Sequence, residues 1–297
     1  MSAKIFLAGG TGVLGRRVVP LLTAAGHHVT ANTRNPGAAA QIIDAGAASV
    51  TVDLFDPAAV SEAVSGHDVV VNLATAIPTG LAAARPKGWA LNDRLRTEAS
   101  ANLAAAVPRG GRYVGESITF PYADRGSKWI DESVPRSYSS ATESVKATEA
   151  AAASAGGGGG VSLRFAMFWA DDSAHNRDLL RGVRLGVFPL PGDPDAYTSW
   201  VHVDDAAAAV VAAFDAPPGI YNVAEPEPVT RARHAEAAAA ALGKSRLRHL
   251  PSMLVRLGGP PVEALARSQR ISSEALSGAT GWEPRTRLLE IWPQMEP

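Results

Sequence analysis

The residues of this chain whose types and spacing could do chemistry stand near its beginning, in Ala8-Gly9-Gly10-Thr11-Gly12-Val13-Leu14-Gly15. Gly10, Gly12 and Gly15 fit the spacing G-x-G-x-x-G; Gly9, Gly12 and Gly15 fit the related G-x-x-G-x-x-G. Glycine permits a tight turn and lets backbone approach a pyrophosphate closely. With a strand before the run and a helix after it, free N–H groups and the positive end of the helix face the phosphates. Gly9, Gly10, Thr11, Gly12, Val13, Leu14 and Gly15 are therefore the expected cradle of a dinucleotide. The partner position lies about 20 residues on, where a carboxylate would bind the ribose hydroxyl of NAD. Here the stretch reads Ala31-Asn32-Thr33-Arg34-Asn35, with no carboxylate. Arg34 could pair with a 2′-phosphate and Thr33 could donate a hydrogen bond, so NADP (NADPH) is expected over NAD.

The elements that must position these residues follow from periodicity. Residues 4–8 form a short apolar run that reads as a buried strand, and residues 14–25 carry Val18, Leu21, Leu22 and Ala25 at helical spacing before Gly26. Strands are expected at 28–32, 49–52, 68–74, 112–114, 161–165 and 219–223. Helices are expected at 36–45, 57–64, 92–107, 139–155, 204–214, 231–242 and 250–257. Strand and helix alternate at the tempo of a parallel sheet covered on both faces. The expected fold class is α/β, a doubly wound parallel sheet with a smaller C-terminal α/β substrate lobe. The expected division is 1–170 for the dinucleotide-binding domain and 171–297 for the lobe, with return strands interleaved into the sheet. The five glycines at 156–160 read as a surface loop.

Composition narrows the function class. The 297 residues hold 28 Lys plus Arg against 29 Asp plus Glu, a formal net charge of −1. That balance argues against a nucleic-acid footprint and a polybasic membrane surface. Cysteine is absent, which removes thiolate nucleophiles, disulfides and Cys-ligated metals. No H-E-x-x-H or G-x-S-x-G occurs, so neither a metal site nor a hydrolase elbow is expected. No apolar run reaches the ~20 residues of a membrane span, and the first apolar run is too short for a signal core. The expectation is a cytoplasmic protein with a small-molecule substrate, no nucleic acid and no membrane. Polar candidates for substrate contact or loop polarity are Asp171, Asp172, His175 and Asn176. Trp129, Trp169 and Trp200 could line a pocket or pack a core, and Arg177, Arg181 and Arg184 could meet an anion or form a solvated face.

Further motifs carry a family resemblance. Asp53-Leu54, Asn72-Leu73-Ala74-Thr75, Asn92, His202-Val203-Asp204-Asp205, Tyr221-Asn222-Val223 and Gly281-Trp282-Glu283-Pro284 join the glycine run over about residues 4–285. Together they resemble the extended or atypical branch of the short-chain dehydrogenase/reductase superfamily, the NAD-dependent epimerase/dehydratase group. The resemblance implies a Rossmann sheet, adenine held by Asp53 and Leu54, and cofactor ribose beside Ala74 and Thr75. It also implies a homodimer packed through the helices around Asn92 and Ser139.

That family's chemistry rests on a Tyr and a Lys four residues apart on one helix, with a Ser on the preceding strand. Here Tyr138 is followed at that spacing by Thr142. Aligning Glu149 with the family's helix Glu places Ala141 and Val145 at the Tyr and Lys positions, and neither can move a proton. The candidates to substitute are Ser117, Tyr122 and Lys146, although Lys146 is offset by one residue, a rotation of ~100° on a helix. The expected function is an NADP-dependent oxidoreductase acting on a small carbonyl or hydroxyl substrate. The alternatives are a non-redox epimerase, dehydratase or cyclase on the same fold, and a non-catalytic NADP-binding sensor.

Overall fold

The computed structural model describes residues 2–83, 85–251, 255 and 257–292. Strand β1 (Lys4–Ala8) alternates its side chains between two cores. Ile5 and Leu7 face one, Phe6 and Ala8 the other, and all four are fully buried. It leads through the glycine run into α1 (Gly15–Ala24). Then follow β2 (His28–Asn32), α2 (Ala39–Asp44), β3 (Ala48–Val50), α3 (Pro57–Val64) and β4 (Val69–Asn72). Asp56 caps α3 by accepting from the N–H groups of Ala58 and Ala59, and Pro57 occupies its first turn. After β4 come α4 (Pro86–Arg94), a π-helical turn (Leu95–Ala99), α5 (Ser100–Ala106) and β5 (Arg112–Ile118). The short strand β6 (Trp129–Ile130) precedes α6 (Val145–Ser154) and β7 (Val161–Phe165).

The second half supplies β8 (Met167–Trp169), α7 (Ala174–Arg184), β9 (Val187–Phe188), β10 (Tyr197–Thr198) and β11 (Trp200–His202). It continues with α8 (Val203–Ala212), β12 (Gly219–Val223) and α9 (Arg231–Ala241). Seven strands form one parallel sheet in the order β12-β7-β5-β4-β1-β2-β3. The chain starts in the middle, winds outward to β3, then returns across β1 and winds the other way. Ligands in such sheets bind at the strands' carboxyl ends near that switch point, between β1 and β4. The outermost strand, β12, comes from beyond residue 170, so the sheet draws on both halves of the chain.

Helices α1 and α8 cover one face of the sheet through Val18, Leu22, Ala206 and Val210. Helices α3, α5 and α6 cover the other through Val60, Leu103 and Ala152. A third core lies in the C-terminal part, where Trp169, Trp200 and Trp292 pack edge to face at 5.2–5.8 Å. Each fully buried aromatic of this kind contributes roughly 1.5–3 kcal/mol over exposure. No helix among the described residues is long and apolar enough to cross a membrane.

Three elements differ from expectation. The helix expected from residue 92 starts at Pro86 and passes through the π turn before ending at Ala106. Strand β5 does not stop at Val114 but runs to Ile118, because β7 pairs with it as far as Ile118. The helix expected at 139–155 begins only at Val145. Before it, the Thr142 hydroxyl accepts from the Ser139 N–H at 3.0 Å, a local bond that competes with helix formation. Half of the helix expected at 250–257, residues 252–254 and 256, lies outside the described residues.

Candidate functional site

The glycine loop owes its shape to contacts that exclude side chains. Gly9 has a φ of +87°, and a Cβ there would lie 2.6 Å from the Leu73 carbonyl oxygen. At Gly15 a Cβ would collide with the Gly9 carbonyl oxygen and approach the Gly10 Cα to 2.9 Å. Gly10 is held against the Ala31 methyl. Gly12 differs: a Cβ there would meet only the Gly9 carbonyl oxygen, at 3.3 Å. Its bareness serves the open side of the loop, where a diphosphate could approach backbone N–H groups. Helix α1 has no side-chain N-cap and no acidic residue in its first turn, so its end is free to meet an anion. Leu14 anchors the turn in the core, Val13 packs beside it, and Thr11 Oγ1 lies 3.5 Å from Thr33 Oγ1.

Three side-chain amides set the rim. Asn32 pairs both ways with the Val52 backbone, at 2.9 and 3.2 Å, which ties the end of β2 to residues 53–54. Thr33 is buried beside the glycine loop and Arg34 is exposed next to it. Leu54 is buried, and the exposed Asp53 accepts from the Phe55 N–H. Asn72 accepts from the Ala74 N–H and Asn92 from the Ala76 N–H, which lays Ala74 and Thr75 across the switch point. The residues expected to hold a dinucleotide thus stand on loops at the carboxyl ends of β1, β2, β3 and β4. Their types fit one: bare backbone donors for a diphosphate and a guanidinium for a further phosphate.

Ser117 and Tyr122 are joined by one buried network. Ser117 Oγ donates to Glu149 Oε1 at 2.8 Å. Arg164 reaches both Glu149 oxygens, at 2.7 and 2.9 Å, and donates from Nη1 to the Tyr122 hydroxyl at 2.6 Å. Tyr122 in turn donates to Asn222 Oδ1 at 2.8 Å, and Arg136 also pairs with Glu149. Burial pushes the Glu149 carboxyl up, but Arg164, Ser117 and Arg136 outweigh it, so the group sits below the usual carboxylate value. Burial raises the Tyr122 phenol above its ordinary value although Arg164 opposes the shift, so it is neutral at physiological pH. Lys146 does not join them. It is half-exposed, pairs with Glu143 at 2.6 Å, and lies 4.6 Å from the centre of the Tyr138 ring. The Tyr138 hydroxyl is buried without a partner. Val145 opens α6 fully buried, and Ala141 lies in the turn before it.

In a second polar group only Asn92 was singled out from sequence; Arg96 and Ser100 were not. Asn92, Arg96 and Ser100 recur every four residues on the α4–α5 helix, and all three are buried. Ser100 joins Asn72, Tyr113 and Thr148 in a satisfied network, and burial raises Tyr113 to about 12. Arg96 is 2% exposed, and its one hydrogen bond among the described residues is to Glu116 Oε1 at 3.5 Å. Polar residues at four-residue spacing, 92, 96 and 100, were the available signal, but the charged neighbours Asp93, Arg94 and Glu98 mask it.

Several of the other sequence candidates make structural contacts. Asp172 pairs with Arg16 at 2.7 Å and Arg17 at 3.0 Å, which ties the loop after β8 to the start of α1. Asp171 accepts from the Trp169 indole, and Ser173 caps α7. Trp169 and Trp200 are core, while Trp129 is exposed with Arg270 stacked 4.1 Å above it. In the H-V-D-D motif, His202 caps α8 and Asp205 accepts from the N–H groups of Arg285 and Thr286. The Trp282 indole of G-W-x-P donates to the Asp205 carbonyl, so the two motifs clasp each other.

Comparisons with known proteins agree with this geometry. A family model described as NAD(P)H-binding matches residues 9–150. A Streptomyces protein named 3-diazoavenalumate denitrifying reductase is 32% identical over 296 residues, 95% of this chain and 96% of its own. Among solved structures, human epimerase family protein SDR39U1 with NADPH is 24% identical and superposes with a TM-score of 0.78 over 98% of both chains. UDP-glucuronic acid 4-epimerase from Bacillus cereus, solved with UDP-glucuronic acid and NAD, is 17% identical. Its TM-score is 0.75, over 97% of this chain and 96% of its own. The chain belongs to the NAD(P)H-binding, epimerase-like group of the extended short-chain dehydrogenase/reductase superfamily.

Proposed function

We propose that this protein is an NADPH-dependent reductase whose substrate accepts hydride without a proton from a helix-borne tyrosine. The observation that carries the reading is the pairing of a side-chain-excluding glycine loop with two positions, Ala141 in the turn before α6 and Val145 at its start, that hold no acid or base. Ser117 and Tyr122 spend their hydroxyls on Glu149 and Asn222. A carbonyl reduced to an alcohol needs a proton on oxygen, and neither those two positions nor the paired Ser117 and Tyr122 hydroxyls offer one; the hydroxyl nearby that has no partner among the described residues, that of Tyr138, is buried ahead of the helix. A diazo compound is different, and the 32% identical relative is named for one. Reduced nicotinamide, when bound, supplies a hydride; an aryl diazonium cation that takes it becomes arene plus dinitrogen, balanced in atoms and charge with no proton required. The backbone of residues 9–15 would hold the diphosphate and Arg34 the 2′-phosphate. Asp53, Leu54, Ala74 and Thr75 would flank adenine and ribose. Ser117, Glu149, Arg164 and Tyr122 would stiffen the strand ends beneath the nicotinamide.

The test compares NADPH oxidation with an aryl diazo acid and with aryl aldehydes, each over its rate without enzyme. The reading expects turnover of the diazo acid and little of the aldehydes. Aldehyde turnover alone would overturn it. A second reading, reduction of a carbonyl, is favoured by the neutral Tyr122 phenol lying against the Arg164 cation, which would steady the charge left after proton donation. Under that reading Tyr122→Phe abolishes turnover, with Ser117 and Lys146 as further candidates.

A further inference from the structure

Arg96 is the most poorly satisfied charged group in the described interior. It is 2% exposed, and its Nε and Nη1 have no hydrogen-bond partner in the protein. Its Nη2 meets Glu116 Oε1 at 3.5 Å, the outer limit of a hydrogen bond. Glu116 is itself 9% exposed. One helical turn earlier, Asn92 is fully buried; its Oδ1 accepts from Ala76 N–H, but its Nδ2 has no partner. Unpaired donors on Asn92 and Arg96 therefore stand together where the chain leaves β4 and β5 nears its carboxyl end. Leaving a buried guanidinium so poorly paired is costly, and a planar N–H fork is shaped for a carboxylate. The π turn over Leu95–Ala99 contains Arg96, and such turns are frequent at functional sites.

The anions of a dinucleotide have other receptors. On the proposed reading the diphosphate would fall to the glycine loop after β1 and the 2′-phosphate to Arg34 after β2, whereas Arg96 stands in the π turn before α5 and Glu116 on β5. We propose that Arg96, with Asn92, receives a carboxylate carried by the substrate, and that Glu116 is the resident counter-ion this carboxylate displaces. The proposal rests on the reductase reading for its location and names the substrate class: a small carboxylic acid bearing the group to be reduced.

The test uses full-length protein, benzoate as probe and benzamide as its uncharged counterpart, measured by calorimetry with and without saturating NADP. Wild type should bind benzoate more tightly than benzamide. Arg96→Met should weaken benzoate about tenfold or more while leaving NADPH affinity within about twofold, because a charged hydrogen-bond pair is lost at one ligand only. Glu116→Gln should tighten benzoate, since the competing carboxylate is gone. The proposal fails if wild type shows no preference for benzoate, if Arg96→Met binds benzoate as wild type does, or if that variant loses NADPH instead. Should Arg96→Met not fold, Glu116→Gln decides: tighter benzoate supports the proposal, and unchanged or weaker benzoate overturns it. Absence of NADPH binding in wild type would sink the reductase reading separately, while benzoate binding to the cofactor-free protein would still test the subsite.

Discussion

Gly12 and Gly15 stand three residues apart in one loop, yet alanine at each should fail for a different reason. At Gly15 a Cβ would overlap the Gly9 carbonyl oxygen and lie 2.9 Å from the Gly10 Cα, and both are backbone. The loop must shift, at a cost of about 1–3 kcal/mol for an overpacked site. For a chain of this size that lowers Tm by roughly 2–4 °C per kcal/mol. At Gly12 the only neighbour is at 3.3 Å and φ is not positive, so alanine fits with a small adjustment. Reduced freedom in the unfolded chain offsets part of that by about 0.4–1 kcal/mol. The methyl of Gly12→Ala instead occupies the face on which the diphosphate would lie. Losing one charge-assisted hydrogen bond there costs about 1.5–3 kcal/mol, or roughly 10–100-fold in affinity. Melting curves without ligand and NADPH titrations by fluorescence separate the two effects. Gly12→Ala should keep the wild-type Tm and lose NADPH; Gly15→Ala should lose both. The reasoning is refuted if Gly12→Ala binds NADPH within about twofold of wild type, or if its Tm falls as far as that of Gly15→Ala.

Arg34→Ala should weaken NADPH by about 10–100-fold and leave NADH nearly unchanged, as a lost charged pair requires; parallel calorimetry with both dinucleotides checks it. Tyr122→Phe strands Arg164 Nη1 and Asn222 Oδ1, which should cost about 1–3 kcal/mol in denaturant melts while the rate of diazo reduction changes little. Glu225 gives a pH signature. Burial raises its carboxyl to about 8, so its contribution is full below the ordinary carboxylate value and drains away as pH rises toward 8. Buried His234, lowered to about 3, acts oppositely: its contribution is full above its ordinary 6.5 and is lost as pH falls toward 3. The two overlap in mildly acid solution, and only Glu225 acts between pH 6.5 and 8. There wild-type stability should decline by up to ~1.4 kcal/mol per pH unit, and Glu225→Gln should flatten the decline in urea melts.

What could be read from sequence was what is local. Residues 4–8, 57–64 and 219–223 show their periods and stop signals within themselves, and the glycine loop carries its spacing in eight residues. What could not be read depends on partners far along the chain. Strand β5 extends to Ile118 only because β7, more than 40 residues later, pairs with it. Ser117 and Tyr122 looked like free hydroxyls until Glu149, Arg164 and Asn222 were brought to them by α6, β7 and β12. Arg96 and Glu116 are 20 residues apart and meet only once the helix before β5 has packed on the sheet. The family motifs near the C-terminus were legible as a resemblance, but their work, Asp205 holding Arg285, Thr286 and Trp282, is structural.

The most direct measurement is a single turnover of NADPH-loaded protein with an aryl diazo acid, following dinucleotide oxidation and gas release together in wild type and in Ser117→Ala with Tyr122→Phe. A reductase that needs no protein acid releases one dinitrogen per NADPH oxidised, at similar rates in both proteins. Oxidation without gas, or a double variant that is folded and loaded yet inert, would contradict it.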